Sequence, residues 1–83
     1  MNKIYLFGNV ISKSKLKYDI EQKLKLYVEL VIETISGDRF KCIVNEEMLD
    51  KVNALDEFTY VYVVGYGKTG REFRVILQKV YVV

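Results

Sequence analysis

Apolar and polar positions alternate with a period of two along most of this chain, the spacing that sends successive side chains to opposite faces of a strand. From Asn2 to Ile11, one face takes Ile4, Leu6, Gly8 and Val10 and the other takes Lys3, Tyr5, Phe7 and Asn9. The cleanest alternation runs from Leu24 to Thr34. There Leu24, Leu26, Val28, Leu30 and Ile32 oppose Lys25, Tyr27, Glu29, Val31 and Glu33, so one face is expected to be solvated or available for binding. Ser36-Gly37-Asp38 supplies a turn, and Arg39 to Val44 reads as a third strand, forming a hairpin with the second. In it Phe40, Cys42 and Val44 point inward, and Arg39, Lys41 and Ile43 outward. The period then changes. Met48, Leu49, Val52 and Leu55 recur at helical spacing behind Asn45, an N-cap residue type, with Glu46 and Glu47 where the helix dipole favours acids. This predicts one helix of about three turns over Asn45–Leu55. Phe58 to Tyr66 resumes the strand pattern, with Val61, Val63 and Gly65 opposite Tyr60, Tyr62, Val64 and Tyr66. Gly67 to Gly70 reads as a hairpin turn, and Glu72 to Val83 as a last strand.

Three strands, a helix and two more strands is the chain order of the OB-fold, a five-stranded Greek-key barrel with its helix between the third and fourth strands. Gly8 and Gly65, each inside a strand, fit the sharp bends of a small barrel. With 83 residues the chain has room for a single domain, 1–83. A domain this small buries a modest share of its surface, so association with a second copy is a plausible supplement. The 51% hydrophobic content supplies enough apolar surface to oppose chain entropy, which excludes a disordered chain.

Composition also narrows the chemistry. There is no His, which removes the commonest general base, most zinc sites and the usual nucleophilic triads. The single Cys42 excludes an internal disulfide and a multi-thiolate metal site, and its inward position marks it as a small core residue. No phosphate-cradling glycine loop is present, and Glu46 and Glu47 diverge on a helix. No enzyme activity, metal or cofactor is therefore expected. The absence of a signal peptide or long apolar run predicts a soluble, cytoplasmic protein away from membranes. Thirteen basic against eleven acidic residues give a net charge of +2, so a basic footprint has to come from local clustering.

Several segments resemble bacterial single-stranded DNA-binding proteins. Asn2-Lys3-Ile4-Tyr5-Leu6-Phe7-Gly8-Asn9-Val10 is similar to that family's opening strand. Leu16-Lys17-Tyr18 stands where the family has Leu-Arg-Tyr, Lys41-Cys42-Ile43-Val44 resembles its third strand, and Val61-Tyr62-Val63-Val64-Gly65 its fourth. The likeness covers nearly the whole chain in order. It implies an OB-fold, binding of single-stranded DNA with little sequence preference, and a dimer or tetramer. The family typically carries a long tail with an acidic tip that recruits replication and repair proteins. Here the chain ends in a strand at Tyr81-Val82-Val83, so that recruiting function is expected to be missing. The last hairpin is shorter than the family's, and Arg39 and Asn45 stand where the family often has aromatic stacking residues. A short, tailless relative of this kind resembles the primosomal replication protein N branch of that family, or the small single-strand binders of phages and mobile elements.

Binding a single strand needs cations that track phosphates and flat side chains on which bases stack. Lys13, Lys15, Lys17, Lys23 and Lys25 cluster in the first inter-strand loop and the start of strand two, against Asp19 and Glu21. Lys68 and Arg71 belong to the last hairpin, the other loop that borders the binding face of an OB-fold, and Arg39 and Lys41 share a face with Lys25 and Tyr27. Tyr18, Tyr27, Tyr60, Tyr62 and Tyr66 are stacking candidates, with Tyr27 foremost. The expected nucleic-acid-binding residues are Lys13, Lys15, Lys17, Tyr18, Lys25, Tyr27, Arg39, Lys41, Tyr62, Tyr66, Lys68 and Arg71. DNA and RNA alike present the phosphates and bases such a face reads.

Each feature also has a plainer explanation. Lysines keep a small barrel soluble, and Tyr60, Tyr62 and Tyr66 suit a subunit interface, where Tyr is enriched. Tyr5 and Phe7 on strand one are expected to pack against a second subunit in a homodimer. Glu29 and Glu33 would repel phosphates unless paired across the hairpin with Lys25, Arg39 or Lys41. The alternative function is a protein-interaction module of a replication complex that has kept the barrel and lost its nucleic-acid ligand.

Overall fold

A computed structural model describes residues 2–19 and 25–83, and of Tyr18, Asp19 and Lys25 it describes the backbone. The expected roles of Lys23 and Glu21, and the expected strand start at Leu24, lie outside the described residues. The described residues form six strands: β1 (Lys3–Lys13), β2 (Lys17–Asp19), β3 (Lys25–Thr34), β4 (Arg39–Asn45), β5 (Tyr60–Lys68) and β6 (Arg74–Val82). Five of them close a barrel in the order β1-β5-β6-β4-β3, with β1 pairing back onto β3, and β2 lies along the outer edge of β3. All neighbours are antiparallel except β4 and β6, which run parallel where Cys42 meets Val75 and Ile43 meets Ile76. This is a five-stranded OB barrel.

The alternation read from the sequence sets which side chains fill it. Leu6 and Val10 from β1, Val28, Leu30 and Ile32 from β3, Cys42 and Val44 from β4, Val61 and Val63 from β5, and Val75, Leu77 and Val80 from β6 form one buried cluster. Each fully buried aliphatic side chain of this kind stabilises the fold by roughly 1.5–3 kcal/mol. Two bulges bend the wall. Ile11 is skipped in the β1–β3 register, between the pairs Val10–Ile32 and Ser12–Val31. Gln78 is skipped between Val64–Lys79 and Gly65–Leu77. An extra residue shifts the in/out phase and increases the local twist, which explains why Leu77 and Val80, three apart, both face inward. Gly8 and Gly65 are required by close backbone approach: a Cβ on Gly8 would collide with the Glu33 carbonyl oxygen, and one on Gly65 with that of Ile76.

Four details depart from the sequence-based expectation. The short strand β2 forms where a loop was expected, because Lys17, Tyr18 and Asp19 pair with Tyr27, Leu26 and Lys25. The expected three-turn helix is two shorter pieces, a 3₁₀ turn at Glu46–Met48 and α1 at Leu49–Asn53. Asn45 stays extended as the last residue of β4 and its side chain makes no capping hydrogen bond. The helical spacing still does its work, since Val52 and Leu55 are buried and Met48 and Leu49 pack against the cluster. β5 begins at Tyr60, two residues later than expected, because Phe58 has a left-handed backbone (φ 68°) that no strand can pass through. That conformation is held by the Phe58 N–H, which donates to the Val10 carbonyl at 2.7 Å. Finally, β5 continues through Gly67 and Lys68, so the connection to β6 is residues 69–73 and β6 starts at Arg74 rather than Glu72.

Candidate nucleic-acid interface

Strand register places a row of outward side chains across four strands. Glu29 on β3 faces Ile43 on β4, Ile43 faces Ile76 on β6, and Ile76 faces Tyr66 on β5. The parallel β4–β6 register sets the next pairs on opposite sides of this row, Tyr27 with Asn45 on one side and Lys68 with Arg74, level with Lys41, on the other. Between these rows and the connection from β5 to β6 lies a surface groove of about 830 Å³. Ile43 and Ile76 supply an apolar floor, and Tyr27 and Tyr66 are half-buried aromatic walls. Lys68, Arg71 and Arg74 line the end formed by the connection. Glu46 and Glu47, from the 3₁₀ turn, line the other end together with Asn45. The groove thus has a cationic end at Lys68 and Arg74, an acidic end beside Asn45 and Tyr27, and two aromatic rings of the kind on which flat ligands stack.

Glu72 also lines the groove, but its charge is engaged. Lys41 Nζ donates to both of its oxygens, at 3.1 and 3.0 Å, and Arg74 Nη2 lies 3.6 Å away. The Lys41 hydrogen bond, aided by the charges of Lys41 and Arg74 and outweighing a desolvation that acts in the opposite sense, holds the Glu72 carboxyl below its ordinary range.

Of the expected residues, the structure brings Tyr27, Tyr66, Lys68 and Arg71 together in the groove, with Lys41 at its border through Glu72. Lys17 is exposed on β2 directly opposite Tyr27. Lys15 is exposed on the segment before it, which is anchored by Ser14: its N–H donates to the Glu29 carbonyl and its hydroxyl accepts from the Glu29 N–H, both at 2.9 Å. Tyr18 and Lys25 are described in backbone alone, and their side chains lie outside the described set. The others are elsewhere. Lys13 turns to the end of α1, where its ammonium donates to the carbonyls of Leu55 at 2.9 Å and Asn53 at 3.2 Å. Arg39 pairs with Glu33 at 2.9 Å beside the β3–β4 turn, roughly 20 Å along the strand from Tyr27. This is one of the cross-hairpin pairings expected for Glu33.

Tyr62 belongs to a different feature, an aromatic stripe over β1, β5 and β6. Its ring stacks on Tyr5 at 6.4 Å and on Tyr81 at 6.1 Å, and Phe7 stacks on Tyr60 at 6.0 Å. The Lys51 ammonium lies 5.3 Å from the Tyr81 ring centre. The five rings remain 37–59% exposed despite stacking on one another. The trio and the pair are neighbours, because Phe7 pairs with Tyr62 across β1 and β5, and Lys3 and Lys79 flank the trio.

Sequence reasoning did not single out Arg74 or Ile76. Both are outward residues at the start of β6, and the Arg74–Val75–Ile76–Leu77 alternation carried that signal. Among the described residues no group of His, Cys, Asp and Glu is arranged to hold a metal ion, and no helix is long and apolar enough to cross a membrane.

The barrel has the architecture of OB-fold proteins of the single-stranded DNA-binding and PriB kind, and solved structures of that kind match it over its whole length. PriB from Ralstonia solanacearum superimposes with a TM-score of 0.82 at 9% identity, covering 100% of this chain and 99% of that one. The mitochondrial single-stranded DNA-binding protein Rim1 from S. cerevisiae matches with a TM-score of 0.79 at 13% identity, over 99% of this chain and 93% of that one. The N-terminal domain of PriB from Thermoanaerobacter tencongensis, described as dimeric, matches with a TM-score of 0.71 at 17% identity, over 99% and 96% of the two chains. The likeness is one of fold. No protein-family model matches the sequence, and no curated protein does.

Proposed function

We propose that this chain is a short, non-catalytic single-stranded DNA-binding protein of the PriB and SSB kind, cytoplasmic and acting in DNA replication, repair or recombination. The observation that carries the reading is the groove. Two aromatic walls, Tyr27 and Tyr66, flank an apolar floor beside the three cations Lys68, Arg71 and Arg74. A base stacks on a tyrosine while its phosphate turns to the cationic end, and Lys17, paired with Tyr27 from β2, and the exposed Lys15 supply separate cations on the β2 side of Tyr27. The same geometry accepts RNA, so the comparison of ribo- and deoxyribo-oligonucleotides belongs in the assay. Fluorescence anisotropy of a labelled oligo(dT) tests it. Tyr27→Ala and Tyr66→Ala are each expected to weaken binding by about 1–3 kcal/mol. Unchanged affinity in both variants contradicts the reading.

The chain is further proposed to form a homodimer through the aromatic stripe. Five exposed rings on adjacent strands, stacked as a trio and a pair, make an apolar patch of the kind that marks an interaction surface, and a fold relative is described as dimeric. A protein-interaction module remains the second reading, favoured by Glu46, Glu47 and Glu72 in the groove lining. A specific protein recovered after nuclease treatment, with no oligonucleotide shift at low salt, would select it.

A further inference from the structure

Lys41 from β4 and Arg74 from β6 converge on a single carboxylate at the border of the groove. Lys41 Nζ reaches the two oxygens of Glu72 at 3.1 and 3.0 Å, and Arg74 Nη2 stands 3.6 Å from Oε1. A carboxylate and a phosphodiester present the same feature to such cations, a pair of anionic oxygens able to accept several charge-assisted hydrogen bonds. The three side chains are 42–44% exposed, so water and salt screen the pairing and hold it weakly. Glu72 itself belongs to the connection between β5 and β6, outside both strands, so its side chain is not fixed by a sheet position.

We propose that Lys41 and Arg74 form a seat for one backbone phosphate, and that Glu72 occupies this seat until a strand displaces it. The inference rests on the groove being the single-strand site and adds to it a residue that sets affinity from within. In the free protein Glu72 already offsets one of the two positive charges, so an arriving phosphate exchanges with a carboxylate and the net release of counterions is smaller. Binding is correspondingly weaker and less salt-dependent than the number of cations around the groove implies. Nucleic acid that offers phosphates without unstacked bases gains too little from Tyr27 and Tyr66 to expel the carboxylate, so the exchange also favours single strands over duplex.

The test compares wild type, Glu72→Gln and Glu57→Gln by anisotropy with labelled oligo(dT) over a range of salt. Glu57 is exposed at the opposite end of β5 and changes the net charge equally. Glu72→Gln is expected to bind about two- to fivefold tighter than wild type at low salt, with Glu57→Gln close to wild type. Its log–log salt slope should steepen by about 0.7 for each cation released to contact phosphate. In a Lys41→Gln background the gain from Glu72→Gln should shrink. Equal affinities for Glu72→Gln and Glu57→Gln, or a gain undiminished without Lys41, would overturn the exchange while leaving the groove reading in place. No binding by any of the variants at low salt would overturn the groove reading and the exchange with it.

Discussion

Cys42 lies on the inward face of β4, fully buried, with its Sγ 3.7 Å from the Phe40 carbonyl oxygen. Burial disfavours the thiolate and pushes its pKa from the ordinary 9.0 up to about 12. In the unfolded chain the thiol ionises near its ordinary value. Below that value the buried thiol costs nothing, and between the two values stability falls as pH rises, because the unfolded state loses its proton first. Native Cys42 should therefore resist a thiol reagent and react once the chain is unfolded in denaturant. Cys42→Val should lose less stability than wild type above the ordinary thiol pKa, measured by urea unfolding at stepped pH. Gly8 offers a second residue-scale test. Its missing Cβ leaves room for the Glu33 carbonyl, so Gly8→Ala should destabilise by about 2–4 kcal/mol. Gly70, with nothing within 4 Å of a built Cβ, should accept Ala within about 0.5 kcal/mol in the same unfolding assay. Alternation along the chain gave the direction of most side chains correctly at this scale. It did not give coverage. Ile43 and Val64 point outward as read, yet both are buried on the outer face by neighbours from other strands.

At the scale of elements, what was legible depended on how local the cause is. The hairpin of β3 and β4 closes through the Gly37 turn, whose φ of 87° suits glycine, and its register follows from alternation on both sides. The helix was legible as an apolar spacing but not as a continuous rod. A five-residue helix has no stability of its own and exists here because Val52 is buried under the barrel. Lys13 illustrates the limit most clearly. By sequence it belongs to a run of lysines, and only the closed barrel shows its ammonium satisfying the carbonyls of Asn53 and Leu55, 40 and 42 residues away. Lys13→Gln is expected to cost about 1 kcal/mol of stability and to leave oligonucleotide affinity unchanged. Thermal unfolding and anisotropy on the same variant check both halves.

At the scale of the molecule, the order of strands and helix was readable from the chain, because period and turn residues fix each element in sequence. Closure into a barrel was expected from that order through its match to the OB-fold, but the residues that close it were not, since the parallel pairing of β4 with β6 joins segments that no local pattern relates. The groove inherits that limit. Tyr27, Ile43, Tyr66 and Arg74 come from four strands, and the bulge at Gln78 decides which part of β6 faces the groove and which faces the stripe. The same division separates Tyr66 from Tyr62, two outward tyrosines of one strand that the sequence treats alike. It predicts that they fail differently. Tyr62→Glu should shift the protein from dimer to monomer in sedimentation equilibrium at micromolar concentration, while Tyr66→Ala should leave the mass unchanged; a wild-type monomer at that concentration contradicts the stripe as an interface.

The groove between β3, β4, β6 and the connection from β5 is proposed to hold a single strand by stacking and charge. The most direct measurement is the affinity of labelled oligo(dT) as a function of salt, for wild type and for the paired Lys68→Gln and Arg71→Gln substitutions. Binding is expected to weaken linearly in log–log form, with the paired variant weaker at every salt and its slope reduced by about 0.7 for each phosphate that the variant no longer neutralises. Absence of binding at low salt, or a slope and affinity that the paired substitution leaves unchanged, would contradict it.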